Sequence, residues 1–466
     1  MEKLFLDSTL HPPLLRDSLN FPRLIADNPI TGVPVFNQRP AHQNPVRPQF
    51  LPLLLMLAFF AGEVYATPNA RHVAVAIDRI DGQGLAGRIP TLFDALDKLP
   101  ESDRAGAFAQ LHGEVFAASH MNLVGMQQTF FRRLPSIQDR SRHSLRDEVV
   151  LGQNDSECSP DAPNAPFRLS LGGCFIVIGG SPDSHVFSHS RWTAFTGDWQ
   201  ARHNIGPYSG YDLRNVGVIY ASETQFSPNR FGGTALAYDN VYQKFDTIPS
   251  DCLTDIFRLA FYGGSRRGNF SSDSYIGYTR NWSKTRRHID IAGTPGFSGV
   301  ARSRFTNNMF GLGFESRQDL RFGCSRLTPS MGMHYIHLSR LRATETGAEE
   351  ANLSVNAGHF DSVRFPMGAK LSHELWTGCI VWRPEVRAFY IREVADASVR
   401  ARTSFNNVHE VPFFADSGKW GRNCGRFGTG LNVQMMDRLS FRIDYDYELY
   451  EWTSASEFGI TLGVIW

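Results

Sequence analysis

The C-terminal end of the chain alternates apolar and polar residues with a period of two, and this pattern limits the possible folds more than any other feature. The apolar positions are Leu439, Phe441, Ile443, Tyr445, Tyr447 and Leu449, and the charged residues Arg442, Asp444, Asp446 and Glu448 lie between them. Successive side chains of a β-strand point to opposite faces, so one face is apolar and the other is charged. Such a strand is typical of an outer-membrane β-barrel, whose charged row lines the lumen.

The final residues repeat this alternation and end in an aromatic side chain. The apolar row of this last strand consists of Phe458, Ile460, Leu462, Val464 and Trp466. We predict that this strand is the assembly signal of the barrel. The predicted partners are therefore the barrel assembly machinery, periplasmic chaperones and outer-membrane lipid, and the predicted location is the bacterial outer membrane.

Twelve segments with this alternation can be counted over residues 188–466. Their cores are Arg191–Trp199, Tyr211–Ala221, Arg230–Tyr242, Asp255–Ser265, Ser274–Ser283, Phe305–Glu315, Pro329–Ser339, Ser362–Glu374, Pro384–Val394, Arg426–Met435, Leu439–Tyr450 and Phe458–Trp466. Short links are expected at 266–268, 375–380 and 436–438, and long ones at 284–304, 340–361 and 395–424. An even strand count with alternating link lengths predicts a closed, 12-stranded antiparallel transmembrane barrel with short periplasmic turns.

A thin, half-polar helix is predicted from Asp103 to Leu134, ended by Pro135. About 30 residues at about 1.5 Å each span roughly 45 Å, enough to cross an outer membrane inside a pore. The pore-helix residues are Gly113, Glu114, Ala117, Asn122 and Gly125. Gln110, Glu114 and Gln127 are expected to meet the lumen row of residues 442–448. The alternative is an amphipathic helix packed in a soluble domain.

The remaining segments complete the predicted domain organisation. Residues 1–66 are a leader, in which the apolar run from Phe50 predicts a signal peptide cleaved after Ala66; the alternative is a passenger remnant. Residues 67–134 form a helical linker and the pore helix, residues 135–187 an irregular connector, and residues 188–466 the barrel.

Composition and motifs exclude several function classes. A net charge of +1, from 47 basic and 46 acidic residues, argues against a nucleic-acid partner. The sequence contains no run of eighteen apolar residues, so no membrane-spanning helix is predicted. The sequence contains no G-x-S-x-G, H-E-x-x-H or P-loop motif, so we predict no catalytic residue, metal site or cofactor. An enzyme using His359 and Asp361, expected in an outer loop, is kept as a minor alternative.

The six cysteines are scattered and contain no C-x-x-C pair, so they allow up to three disulfides or six free thiols. Cys324 and Cys379 each precede a proline by five residues, in predicted periplasmic turns. They pair only if the turns lean together, because a disulfide needs Cα atoms within about 7 Å.

Several stretches, in order, resemble the translocator domain of autotransporters, the type V secretion family. They are Thr67–Ala74, Leu96–Pro100, Ala109–Phe116, Glu345–Ala348 with Leu353–Val355, Arg383–Val386 and the terminal strand. The resemblance implies a barrel that carries an N-terminal segment to the cell surface and keeps a helix in its pore. Only about 66 residues precede the linker, which leaves no sizeable passenger. The lone Asn122 does not support self-cleavage between adjacent asparagines. The alternative function is a passive outer-membrane channel.

Overall fold

The computed structural model describes residues 68–144, 189–204, 208–227, 229–292, 296–377, 380–435 and 439–465, without side chains at 135–144 and 465. The leader at residues 1–66, and with it the signal-peptide prediction, lies outside the described residues. So do residues 145–188 and the terminal Trp466.

Twelve long antiparallel strands form one closed barrel, which confirms the predicted fold. In chain order, β1 to β12 are His189–Arg202, Tyr211–Ser227, Arg230–Phe245, Ser250–Arg267, Phe270–Ile291, Phe297–Gln318, Ser325–Arg340, Gly358–His373, Ile380–Glu393, Asn423–Met435, Leu439–Tyr450 and Ser454–Ile465. Each strand pairs with its neighbours in the chain, and β1 closes the ring by pairing with β12 from Ser190 opposite Ile465 to Ala201 opposite Ser454. Closure leaves no open sheet edge in the membrane.

The two faces of the barrel differ as the alternation predicts. On β11 the side chains of Tyr445 and Leu449 are 42% and 52% exposed, whereas Arg442 and Glu448 are 3% and 6% exposed. Aromatic side chains such as Trp199 continue the outward apolar band on other strands. The outward face is therefore suited to lipid, and the inward face is polar.

Both ends of the barrel lie on one side because the strand count is even. The same side carries tight turns such as the one between β4 and β5, where Gly268 takes a φ of +58°. Short turns mark the periplasmic side of such barrels, so the opposite side is extracellular. The long link predicted at 284–304 is wrong. Strands β5 and β6 extend far beyond the barrel and are joined by residues 292–296.

The other two long links on the outer side contain short strands. Ala343–Thr346 and Leu353–Val355 lie between β7 and β8, and Arg400–Phe405 and Val408–Asp416 lie between β9 and β10. These four strands pair in series, and the first also pairs with β6 at Arg302 and Ser303. We call them the outer sheet.

Three helices cover the outer sheet. Helices α1 (Pro68–Gly82), α2 (Pro90–Asp97) and α3 (Glu101–Leu111), with a 3-10 turn at Ala86–Arg88, form the outer helical module, residues 68–111. Their apolar faces pack against the ends of β5 and β6 and the outer sheet. The buried cluster contains Val73, Ile80, Leu92, Leu96, Ile289, Phe297, Leu353, Phe405 and Phe413. None of the described helices has the length and apolarity of a membrane-spanning helix.

Helix α4 (Glu114–Ser144) follows the module and differs from the helix predicted over residues 103–134. The helical conformation is interrupted at His112 and Gly113. A Cβ on Gly113 would lie 3.2 Å from Thr403 and 3.4 Å from Leu353. This close approach to the outer sheet turns the chain into the barrel. The helix also continues through Pro135, because a proline removes one backbone hydrogen bond without necessarily ending a helix. The predicted connector therefore begins as helix.

Two of the described cysteines are free thiols, and one is in a disulfide. Cys252 on β4 and Cys424 on β10 are free, buried thiols. Cys324 is disulfide-bonded, and its carbonyl accepts a hydrogen bond from the backbone N–H of Glu374 at 2.9 Å. Cys379, its predicted partner, lies outside the described residues, as do Cys158 and Cys174.

Candidate functional site: the helix inside the pore

Helix α4 lies inside the barrel. Every residue from Glu114 to Leu134 is buried or half-buried. Its polar side chains contact strands on all sides: Asn122 contacts Tyr211 on β2, Gln127 contacts Arg258 on β4, His120 contacts Asn307 on β6, Gln128 contacts Ser362 on β8, and Arg132 contacts Glu457 on β12. A helix with partners on so many strands of one closed ring fills its lumen.

The outer end of this helix is held by Glu114, whose side chain is fully buried. Its carboxylate accepts hydrogen bonds from Arg202 at the end of β1, from the backbone N–H of Ser209 and from Asn69 of α1, each at 3.1 Å. Asn69 also bonds the backbone of Asp416 in the outer sheet at 2.8 and 3.0 Å. One carboxylate thus joins the helix, the barrel rim and the outer helical module.

His112 caps the same end of the helix. Burial, with the positive charge of Arg287, lowers the pKa of His112 to about 3, so the imidazole is neutral near pH 7. A neutral ring can accept at Nδ1, and it takes the backbone N–H of Glu114 at 3.2 Å. This satisfies one of the amide groups that a helix start leaves without a partner.

The middle of the helix is fixed by amide side chains. Asn122 accepts a hydrogen bond from Tyr211 at 2.7 Å, and Gln127 accepts from Arg258 at 3.1 Å and from Thr279 at 2.6 Å. The predicted contact of Gln127 with the lumen row of β11 is wrong, because the helix turns this residue toward β4 and β5. Gln110 and Glu114 also miss that row and bond instead at the outer end, Gln110 to the backbone N–H of Asp290 at 2.6 Å.

Two arginines that were not predicted meet the acidic lumen residues. Arg132 bonds Glu448 and, at 2.5 Å, Glu457. Arg133 also bonds Glu457, through Nε at 2.5 Å. These groups are buried, with side-chain exposures of 7–11%. The sequence signal was the adjacent pair of cations near the end of the pore helix, opposite an acidic row.

The other predicted lumen residues pair within the barrel wall. Arg387 on β9 binds Asp446 at 2.7 Å and Asp444 at 3.4 Å. Arg442 binds Glu385 at 2.5 Å. They form a charged wall below the helix contacts, and Asp444 and Asp446 also face the cavity that Arg132 and Arg133 line.

Small residues let the helix fit closely. A Cβ on Gly125 would lie 2.5 Å from the ring of Trp420, and Ala117 is completely buried. Phe131 in turn occupies space left by two wall glycines, Gly277 on β5 and Gly311 on β6. Gly113 lies where the helical conformation is interrupted between α3 and α4. The two wall glycines were not predicted, because nothing in a single strand shows which glycine faces a plug.

The terminal strand β12 places Leu462 and Val464 on the outward face, 47% and 40% exposed. Phe458 and Ile460 belong to the same row and are half-buried. Their role as an assembly signal stays a prediction, and Trp466 lies outside the described residues.

His359 and Asp361 lie on β8 and not in a loop. Asp361 accepts a hydrogen bond from Tyr335 at 2.7 Å and lies 2.9 Å from Nδ1 of His337. All four side chains point outward near the outer end of β7 and β8, where they partner one another. Within the described residues, no group of three or more His, Cys, Asp or Glu is placed to hold a metal ion.

The family follows from a match over residues 191–446, more than half of the chain, to the model described as the autotransporter beta-domain. The chain belongs to the autotransporter beta-domain family. This family is a transport domain of the bacterial outer membrane and is not a catalytic one.

Similar proteins agree with this membership. Outer membrane protein B of Rickettsia prowazekii (strain Madrid E) is 24% identical over 293 residues, which are 61% of this chain and 17% of that protein. Outer membrane protein B of Rickettsia conorii is 22% identical over 252 residues, 52% of this chain and 15% of that protein. The chain therefore matches only a small part of the length of these relatives.

A solved structure shows the same fold. The translocator domain of the autotransporter NalP from Neisseria meningitidis superposes with a TM-score of 0.53 at 14% sequence identity. The match covers 75% of this chain and 98% of that domain.

Proposed function

We propose that this autotransporter barrel displays the outer helical module, residues 68–111, at the cell surface and that helix α4 closes the pore behind it. The observation that carries the proposal is the path of α4. The helix begins at the extracellular rim, where Glu114 bonds Arg202 and Ser209, and runs inward to Arg132 and Arg133. The apolar face of the module that precedes it packs on the extracellular ends of β5 and β6 and on the outer sheet.

The helix runs from the extracellular rim toward the periplasmic side, which is the arrangement expected after its N-terminal segment has been exported. The barrel begins and ends on the periplasmic side, so a segment N-terminal to it reaches the outside only through the lumen or with the assembling barrel. The contacts of Asn69 and Glu114 then hold the module on the rim. The barrel thus carries its own N-terminal segment outward and retains it.

The contacts of α4 oppose the rival function of a passive channel. A solute would have to displace a helix whose polar groups are paired with the wall, and each buried polar group left without a partner costs about 1–3 kcal/mol. We also propose that the chain performs no catalytic step. Its proposed partners are the barrel assembly machinery, which would recognise β12, periplasmic chaperones and outer-membrane lipid.

The test inserts a short epitope after Gly84, in the turn that follows α1. Gly84 has a φ of +68° and open space around it, and Gly268 of the β4–β5 turn has the same two properties. We expect antibody to label the Gly84 insertion on intact cells and the Gly268 insertion only after the outer membrane is permeabilised. Heat-modifiable migration on gels shows that both barrels are folded. Equal labelling of folded proteins, or the reverse order, would contradict display of the module.

A further inference from the structure

Strands β5 and β6 carry basic side chains directly opposite one another on their outward face. The register pairs Lys284 with Arg304 and Arg286 with Arg302. All four side chains are exposed. Cross-strand neighbours of this kind have Cβ atoms about 4.5–5.5 Å apart, and like charges at that distance are destabilising. Such an arrangement is stabilised by anions that lie beside it.

The carboxylates nearby are too few to neutralise the four cations. Arg286 binds Asp251 at 3.0 Å and still has 55% of its side chain exposed. Asp255 interacts electrostatically with Lys284 and accepts hydrogen bonds from Tyr238 at 2.8 Å and from Asn240 at 2.9 Å. Within the described residues, Lys284, Arg302 and Arg304 form no ion pair. The outward face of β2 and β3 differs, since Lys244 lies opposite Asp212 there.

The height of the patch matches the lipid headgroups. Tyr278 and Trp282, 46% and 43% exposed, belong to the outward aromatic band of β5, and the guanidinium of Arg280 lies 5.7 Å from the Trp282 ring. Aromatic side chains mark the membrane–water interface. Lys284 and Arg286 lie two and four residues beyond Trp282, about 7 and 13 Å along the strand. They lie on the extracellular side, at the level of the outer-leaflet headgroups.

We propose that Lys284, Arg286, Arg302 and Arg304 bind the phosphate groups of a phosphorylated lipid headgroup in the outer leaflet. Guanidinium groups form paired, charge-assisted hydrogen bonds to phosphate oxygens, and an ammonium group adds a point charge. Two cross-strand pairs, one above the other, give two adjacent sites that suit a headgroup with more than one phosphate. The site needs only the outward face of the barrel, so it can fail while display of the module stands.

The test measures lipid binding to the full chain in zwitterionic micelles by native mass spectrometry. The probes are lipopolysaccharide, the same lipid after phosphatase treatment, and inorganic phosphate. The variant is K284Q with R304Q, and the control is R214Q with R392Q, which removes two outward cations from β2 and β9. We expect the variant to bind lipopolysaccharide at least tenfold more weakly, the control to bind like the unaltered chain, and the treated lipid to bind weakly to all three.

Three results would overturn the proposal. They are unchanged lipopolysaccharide binding in the variant, equal binding of the phosphatase-treated lipid, and inorganic phosphate displacing lipopolysaccharide at equal concentration, which would assign the patch to free phosphate.

A second variant, K284E, places opposite charges across the pair. It should raise the melting temperature of the lipid-free barrel while weakening lipopolysaccharide binding to the same degree. A barrel that is no more stable with K284E would contradict the repulsion on which the site is argued.

Discussion

Removal of residues 68–144 is expected to turn the closed barrel into a conducting pore. The twelve strands pair with one another around the whole ring, so the barrel does not need the helix for closure. A helix with its side chains is about 10 Å across, and its removal leaves a water-filled lumen of that width. The charged groups left on the wall, such as Arg258 and Glu457, favour a hydrated lumen. We expect single-channel conductance in planar bilayers to rise by at least roughly tenfold over the full chain, because a lumen of helical width replaces a closed one.

The matched control removes residues 68–111 only. This shorter deletion takes away the outer helical module and leaves α4 with its inner contacts to Glu448 and Glu457. Its conductance should stay near that of the full chain. Equal, low conductance in both deletions would mean that the helix does not close the pore.

Replacement of both Arg132 and Arg133 by methionine is expected to release the inner end of the helix. Glu448 and Glu457 would then be buried in the lumen without these cations, and breaking a buried ion pair from one side costs about 3–5 kcal/mol. These four side chains keep 7–11% of their surface exposed, so we expect the lower part of that range. Thermal unfolding should show a separate, earlier loss of helical circular dichroism, with intermittent channel openings in bilayers.

Two further variants separate charge from packing. Adding E448Q and E457Q to the double variant removes the unpaired charges and should restore most of the helix stability. The conservative R132K keeps the positive charge at position 132 and should have a small effect. A double variant that melts like the unaltered chain would show that these ion pairs do not hold the helix.

The barrel was predictable because a single physical pattern, the period of two, repeats wherever one face meets lipid and the other meets the lumen. The same reasoning failed at the outer end of β5. There Lys284, Arg286 and His288 face outward beyond the aromatic band, while Thr285 and Arg287 face inward, so both faces are polar and the alternation disappears. The strand continues because β6 pairs with it up to Ile291 opposite Phe297, and Arg287 also pairs with the buried Glu345 of the outer sheet at 2.5 Å.

The helix contacts were less predictable for a different reason. A helix in a lumen can rotate and slide, and its composition does not specify which strand each side chain faces. Gln127 reaches Arg258 and not β11, and the fit of Phe131 against Gly277 and Gly311 depends on the register of three separate elements. The break at Gly113 likewise depends on the packing of this glycine against Thr403 and Leu353 of the outer sheet, and the helix sequence alone does not show that contact.

The most direct measurement of the helix inside the pore uses the native free thiol of Cys252 on the inner face of β4. Ser119 of α4 lies near this thiol, and its hydroxyl donates a hydrogen bond to the backbone carbonyl of Phe116 at 3.2 Å. In native outer membranes treated with a mild oxidant, S119C should form a disulfide that joins the helix peptide to the β4 peptide in mass spectrometry. The same variant with C252S should form none, and the buried Cys424 on β10 should not replace it. A correctly folded S119C barrel in which both thiols stay free would contradict a helix that fills the lumen.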